Sequence, residues 1–160
     1  MINIIGTFNC KADAKGRVTI PSSLMSQLSP LLNDGFVIKH GRFSRCLELY
    51  PKAEYNRMMM QLKEKDQFDP DNVRTLRKFV EGAQLVNIDD SNRLLIPKAL
   101  AEHALIKKEV VITATIDIIE IWDKESYEKA NDIDRDEFSV MLKTAFGKND
   151  KPVSQSGTAQ

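Results

Sequence analysis

The chain has 160 residues, 42% hydrophobic and 29% charged, a balance that suits one ordinary domain or two small ones sharing a core. Its 23 basic and 23 acidic residues cancel, so no strong basic excess marks it as a nucleic-acid binder. Two cysteines (Cys10, Cys46) and two histidines (His40, His103), without CxxC spacing, exclude a zinc site of ordinary design.

The charge is unevenly spread. Residues 1–80 carry 13 basic and 8 acidic side chains, and residues 81–160 carry 10 and 15. This asymmetry suits an anionic partner for one half, or attraction between halves within or between subunits. The most apolar stretch, 110–122, is broken by Asp117 and Glu120 and is too short to span a bilayer. The segment 1–6 shows no basic region and no cleavage signal, so a cytoplasmic location with reduced thiols is expected.

The elements follow in chain order. A strand leads into a tight turn at Asp13-Ala14-Lys15-Gly16 and returns over 17–20, with Val18 and Ile20 on one face and Arg17 and Thr19 on the other. Pro21 opens a short helix over 22–29. Strands follow at about 35–40 and 46–50. Helices are predicted at 52–65 and 71–82, the second with Asp69 as N-cap and Pro70 in its first turn. A second turn, Asp89-Asp90-Ser91-Asn92, then a strand and Pro97 precede a helix at 98–105. Strands at 109–114 and 117–122 and helices at 124–131 and 134–146 complete the pattern. Residues 147–160 read as a disordered tail.

This order repeats itself. Asp13, Arg17, Ile20, Pro21 and Leu24 match Asp89, Arg93, Ile96, Pro97 and Leu100 at an offset of 76. Leu47-Glu48-Leu49-Tyr50 matches Ile119-Glu120-Ile121-Trp122 at an offset of 72, and Tyr55 matches Tyr127. The first copy therefore holds four extra residues, which the glycine-containing segment 39–45 can accommodate as a loop. A copy of about 45 residues buries too little to fold alone, so the two must share one core and carry both turns on related positions of one face.

The turns are the candidate site. Asp13 and Asp89 order them by hydrogen bonding forward, and Gly16 and Asn92 suit a left-handed backbone. Arg17 and Arg93 then stand beside each turn, where a guanidinium fork can reach phosphate or a guanine edge. Lys15 adds a donor to the first turn, whereas Asp90 and Ser91 weaken the second. Lys39, Arg42 and Arg45 read as a solvated basic loop. Arg74, Arg77 and Lys78 read as a solvated helix face or a subunit contact, and the run Met58-Met59-Met60 reads as core packing. No phosphate loop, GxSxG or HExxH motif is present, so the chain is read as no enzyme, with no catalytic residue, metal or cofactor.

The segments DAKGRVTIP and DDSNRLLIP, each followed by an acid-containing strand that ends in an aromatic residue, resemble the MraZ family of bacterial regulators with tandem SpoVT-AbrB-like modules. The resemblance implies an α+β fold, a swapped-hairpin AbrB-like double-split β-barrel formed by both repeats with flanking helical pairs. Its parts would be repeat 1 over 7–53, a helical pair over 54–81, repeat 2 over 82–125, C-terminal helices over 126–146 and the tail. It further implies a homo-oligomeric ring of about eight subunits. Such a ring would bind repeated promoter elements of the division and cell-wall gene cluster in double-stranded DNA, at the nucleoid, with no membrane or small-molecule partner. The family's DNA-contacting positions fall on Arg17, Lys15 and Arg93. The family usually places Gly where this chain has Asn92, so the second turn is expected to bind more weakly. Two other classes compete: an AbrB-like antitoxin, disfavoured by two modules and structured helices, and an oligomeric scaffold that binds no DNA.

Overall fold

The computed structural model describes residues 3–147. The chain divides into two compact units, one ending at Tyr127 and one starting at Glu128. The predicted tail lies outside the described residues except for Gly147.

The first unit opens with β1 (Thr7–Lys11) and β2 (Arg17–Thr19), followed by α1 (Ser22–Leu28), a 3₁₀ turn (Ser29–Leu31), β3 (Phe36–His40) and β4 (Leu47–Pro51). Helices α2 (Lys52–Lys63) and α3 (Pro70–Phe79) come next. The second copy then runs β5 (Gln84–Val86), β6 (Arg93–Leu95), α4 (Lys98–His103), β7 (Glu109–Thr115) and β8 (Ile118–Asp123), and enters α5 (Lys124–Ala130). Asp69 caps α3 by accepting from the Asp71 N–H at 2.9 Å, with Pro70 in the first turn as predicted. Pro21 and Pro97 stand immediately before α1 and α4, where the sequence places the helix starts. With φ near −57° and −55° and extended ψ, each is the residue before its helix.

The copies interleave. The sheet order is β1-β7-β8-β4-β3-β5, all antiparallel, and β2 pairs with β6 in a separate two-stranded ribbon. In the ribbon Val18 stands opposite Leu94, and in the sheet Glu48 stands opposite Glu120. Each of these is a repeat-equivalent pair, so an internal pseudo-twofold axis passes through both. A closed barrel, expected from the sequence, is not what the ladders form. The six-stranded sheet is open, and isolated bridges at Ala12–Val18 and Ile88–Leu94 tether the ribbon to its two edge strands. The physical reason is length: a turn on one side and a proline on the other leave β2 and β6 three residues each.

The pairing also relocates two of the four extra residues. Phe36 and Val110 hold equivalent places, 74 apart, because they pair with Val86 and Cys10. Two extra residues therefore precede β3, beside the 3₁₀ turn, and two lie in the β3–β4 loop.

The main core is built from equivalent pairs. Val18 and Leu94, Ile20 and Ile96, Leu24 and Leu100, Ile38 and Ile112, and Leu49 and Ile121 are all buried in one cluster. No copy has this core to itself, which is the physical meaning of the repeat. On the other face of the sheet, Val37, Tyr50 and Ile118 lie under Tyr55, Met58 and Phe79 of α2 and α3. Their equivalents Val111 and Trp122, with Cys46, meet Tyr127. Of the three consecutive methionines, Met58 packs there, while Met60 is exposed. Both cysteines are buried free thiols, and burial pushes Cys46 up to about 12.

A row of polar side chains crosses that outer face. Thr7, Thr113, Glu120, Glu48 and Lys39 are successive partners across β1, β7, β8, β4 and β3. Tyr50 donates to Glu48 at 2.7 Å, and Trp122 donates to Glu120 at 3.2 Å, so each aromatic serves the acid two residues before it. Lys39 is 1% exposed, 3.4 Å from Glu48 and 4.6 Å from the Phe79 ring centre. It therefore does not belong to the solvated loop predicted for it. A carboxylate directly opposite on β4 offsets the cost of its burial.

In the second unit, α6 (Arg135–Phe146) follows Asp134 and ends at Gly147. Its Phe138, Val140, Met141, Leu142 and Phe146 are exposed. Among the described residues no helix is long and apolar enough to cross a membrane.

Candidate nucleic-acid interface

The two turns have nearly identical chemistry. Asp13 accepts from the Lys15 and Arg17 N–H groups, each at 2.9 Å, and from Arg17 Nε at 2.8 Å. Asp89 accepts from the Ser91 and Arg93 N–H groups at 2.9 Å and from Arg93 Nε at 3.1 Å. The arginine N–H is the leading cause that holds each carboxyl below the usual carboxylate range, helped by the other donors. Each aspartate thus closes an Asx-turn with an added salt bridge.

The fourth turn residue is left-handed in both copies: Gly16 has φ +85° and Asn92 has φ +61°. These are the two residue types that adopt that region at least cost. Their carbonyls reach across the pseudo-twofold: Gly16 accepts from Ile96 N–H at 2.9 Å and Asn92 from Ile20 N–H at 2.7 Å. Each turn is therefore held in part by the other copy.

The register decides where the arginines point. Arg17 pairs with Leu95 and Thr19 with Arg93, while Val18 and Leu94 between them are fully buried. Alternation then puts Arg17, Thr19, Arg93 and Leu95 together on the outer face. The two arginines are diagonal neighbours there, roughly 7–8 Å apart. Their side chains are 32% and 36% exposed. Only Nε of each is engaged with its aspartate, so the terminal nitrogens have no partner among the described residues.

Two basic residues escaped the sequence reading. Turn 13–16 forms one wall of a cleft of about 520 Å³ whose other lining includes Lys98 and Lys107, with one acid, Glu102, from the second copy. Lys98 is equivalent to Ser22, so turn 1 gains a cation across the axis where turn 2 gains a hydroxyl. A distance of more than 80 residues hides this from any local pattern. Lys15 is exposed at the first turn, and Asp90 and Ser91 are exposed at the second. The arrangement provides two guanidinium forks on a short antiparallel ribbon, with extra positive charge at one end.

A family model described as "MraZ protein, putative antitoxin-like" matches residues 4–78 and again 79–149. The chain belongs to the MraZ family. The two tandem matches divide the chain at the repeat already seen in the register. A protein of Christiangramia forsetii named Transcriptional regulator MraZ is 45% identical over 94% of this chain and 97% of its own. A protein of Flavobacterium psychrophilum with the same name is 42% identical over 92% and 94%. One from Clostridium tetani, also so named, is 33% identical over 82% and 89%. The two family-model matches together span residues 4–149, so the turns, the ribbon and the flanking helices fall within them.

Proposed function

We propose that this chain is a sequence-specific DNA-binding regulator of transcription, in keeping with the names of its relatives, and that it acts without catalysis from the cytoplasm and nucleoid. The observation that carries this reading is the pairing of Arg17 and Arg93 on one exposed face of a ribbon built from both repeats. A two-stranded ribbon is one of the two element types that the major groove admits. Arg17 and Arg93, with Lys15 beside the first, are the contacts to DNA. Asp13, Gly16, Asp89 and Asn92 hold them in place. With zero net charge, one copy binds weakly, and a homo-oligomeric ring presenting several ribbons to repeated promoter elements supplies the affinity. The division and cell-wall gene cluster is the target that the family resemblance implies. The two bridges that tether the ribbon to both sheet edges are what supports reading the fold as a swapped-hairpin, double-split barrel plan.

The test is a titration of wild type, Arg17→Ala and Arg93→Ala on DNA from upstream of the chain's own gene and on a scrambled copy, at several salt concentrations. A lost base contact weakens promoter binding by about 1–3 kcal/mol, roughly 5- to 150-fold, and spares the scrambled duplex. Arg17→Ala has the larger effect, because Lys15, Lys98 and Lys107 surround its turn. Folded mutants that bind promoter like wild type would sink the assignment.

A further inference from the structure

One groove of the first unit lies away from the ribbon. It encloses about 1300 Å³ between the β3–β4 loop and α3, and the His40 and His103 rings belong to its lining. These rings stack 3.6 Å apart and 6° from parallel, joining β3 of one copy to α4 of the other. The groove is lined by Arg42, Arg45, Arg74, Arg77 and Lys78 and by two acids, Asp71 and Glu81, while Lys39 at its floor is buried and paired with Glu48. In a chain whose charges cancel overall, this is a concentrated positive field within low-dielectric walls.

The cations are placed by unrelated parts of the sequence. Arg77 and Lys78 fall three and four residues after Arg74, so each is its neighbour on the α3 surface, ~5–6 Å away. Arg42 is fixed from the opposite wall, its Nε 3.0 Å and its N–H 3.3 Å from Glu48. That leaves the terminal nitrogens of its guanidinium uncommitted to Glu48. Arg45 is exposed and, like Arg77, has no ion-pair partner among the described residues. The Arg74 and Lys78 side chains are 78% and 82% exposed. On α3, Arg74 stands 4.0 Å from Asp71 and Lys78 is 2.7 Å from Glu81. The Phe43 ring, 90% exposed, sits on the loop beside Arg42. Four guanidinium forks in two facing rows match a line of phosphate oxygens, which accept in the same planar, two-toothed geometry.

We infer that this groove is a second anion-binding surface that takes the phosphodiester backbone of DNA, independently of base sequence. The inference rests on the DNA-binding reading of the previous section and divides the labour within it: the ribbon reads bases and the groove holds backbone. A contact of this kind fixes register and adds salt-dependent affinity without adding discrimination.

The experiment compares wild type, Arg74→Ala/Arg77→Ala and Arg45→Ala by DNA titration over a range of salt, with light scattering on each protein and thermal melting as the control for folding. For the double variant, affinity falls on the order of tenfold at 0.1 M salt, equally on promoter and scrambled duplex, and the log–log salt slope shrinks by about 1.8. Arg45→Ala shrinks it by about 0.9. The ratio of promoter to scrambled affinity stays at the wild-type value, as does the subunit number. Unchanged affinity and slope in both variants, with wild type binding and Arg17→Ala weakened, would overturn the groove alone. Loss of subunits in the double variant would also overturn it, by showing that the groove holds a neighbouring copy. Absence of DNA binding by wild type would remove both this inference and the reading beneath it.

Discussion

Leu94→Ala tests the claim that the two repeats share one core. Leu94 is fully buried, lies opposite its equivalent Val18 in the ribbon, and bridges to Ile88. Truncation removes three carbon groups. At ~0.8 kcal/mol each, the transfer loss is about 2.4 kcal/mol. The interleaved strands cannot collapse into the space, so a cavity contribution brings the total to about 3–4 kcal/mol. For a chain of this size that lowers the melting temperature by about 10 °C. Leu95, next in sequence but 54% exposed on the outer face, is the control, and Leu95→Ala changes stability by no more than about 0.5 kcal/mol. The assay is urea unfolding at fixed protein concentration, followed by far-ultraviolet dichroism and by the fluorescence of Trp122, the only tryptophan. Both signals are expected to shift together. A loss below about 1 kcal/mol, or a Trp122 transition that separates from the rest, would refute a joint core.

The polar row and the turns supply further tests. Glu48→Gln strands the buried Lys39 without its counter-charge and lowers stability by about 3 kcal/mol at neutral pH. Despite the burial that opposes it, the Glu48 carboxyl is held low by Tyr50, Arg42 and Lys39. Its wild-type stabilisation is therefore complete above the ordinary carboxylate range and is lost as pH falls through its lowered folded value. Glu120 is pushed up, first by burial and also by Glu48. It carries the opposite sign, and Glu120→Gln raises stability at neutral pH; thermal melts of both variants from pH 3 to 8 check the pair. At the turns, Asn92→Gly is neutral within about 0.5 kcal/mol, whereas Gly16→Ala costs about 1–2 kcal/mol, because it forces a Cβ into a left-handed residue 3.2 Å from the Ile96 carbonyl. Urea unfolding distinguishes them, and equal effects would show that the backbone demand is not shared.

The turns were legible in the sequence because their chemistry is local. Asp13, Gly16 and Arg17 lie within five residues, and the second copy repeats the spacing with Asn in place of Gly. The shared core was legible from the repeat itself. What stayed hidden depends on strand register. Lys39 looks like a loop cation until β3 is laid against β4 and Glu48 falls opposite it. The offsets of 76 and 72 fix the number of extra residues in the first copy, but only the pairing of Phe36 with Val86 shows that half of them lie before β3. Lys98 and Lys107 reach the first turn only because β2 pairs with β6. The open sheet, in place of a closed barrel, turns on ladders three residues long, below what any local pattern resolves.

The pairing of β1 with β7 also governs the order in which this protein can assemble while it is being made. Thr7 finds its partner Thr113 only after 106 more residues have been added. At ~5–20 residues per second, the first strand waits roughly 5–20 s with its backbone unpaired. Over the same interval β4 lacks β8 and β2 lacks β6, so a nascent first repeat exposes several unsatisfied strand edges at once. An identical nascent repeat on a neighbouring ribosome offers the same edges, and the sequence equivalence that lets the copies interlock within one chain makes such a neighbour a competent decoy. The fold therefore places its heaviest demand on the translation machinery in the interval between the first repeat and the second.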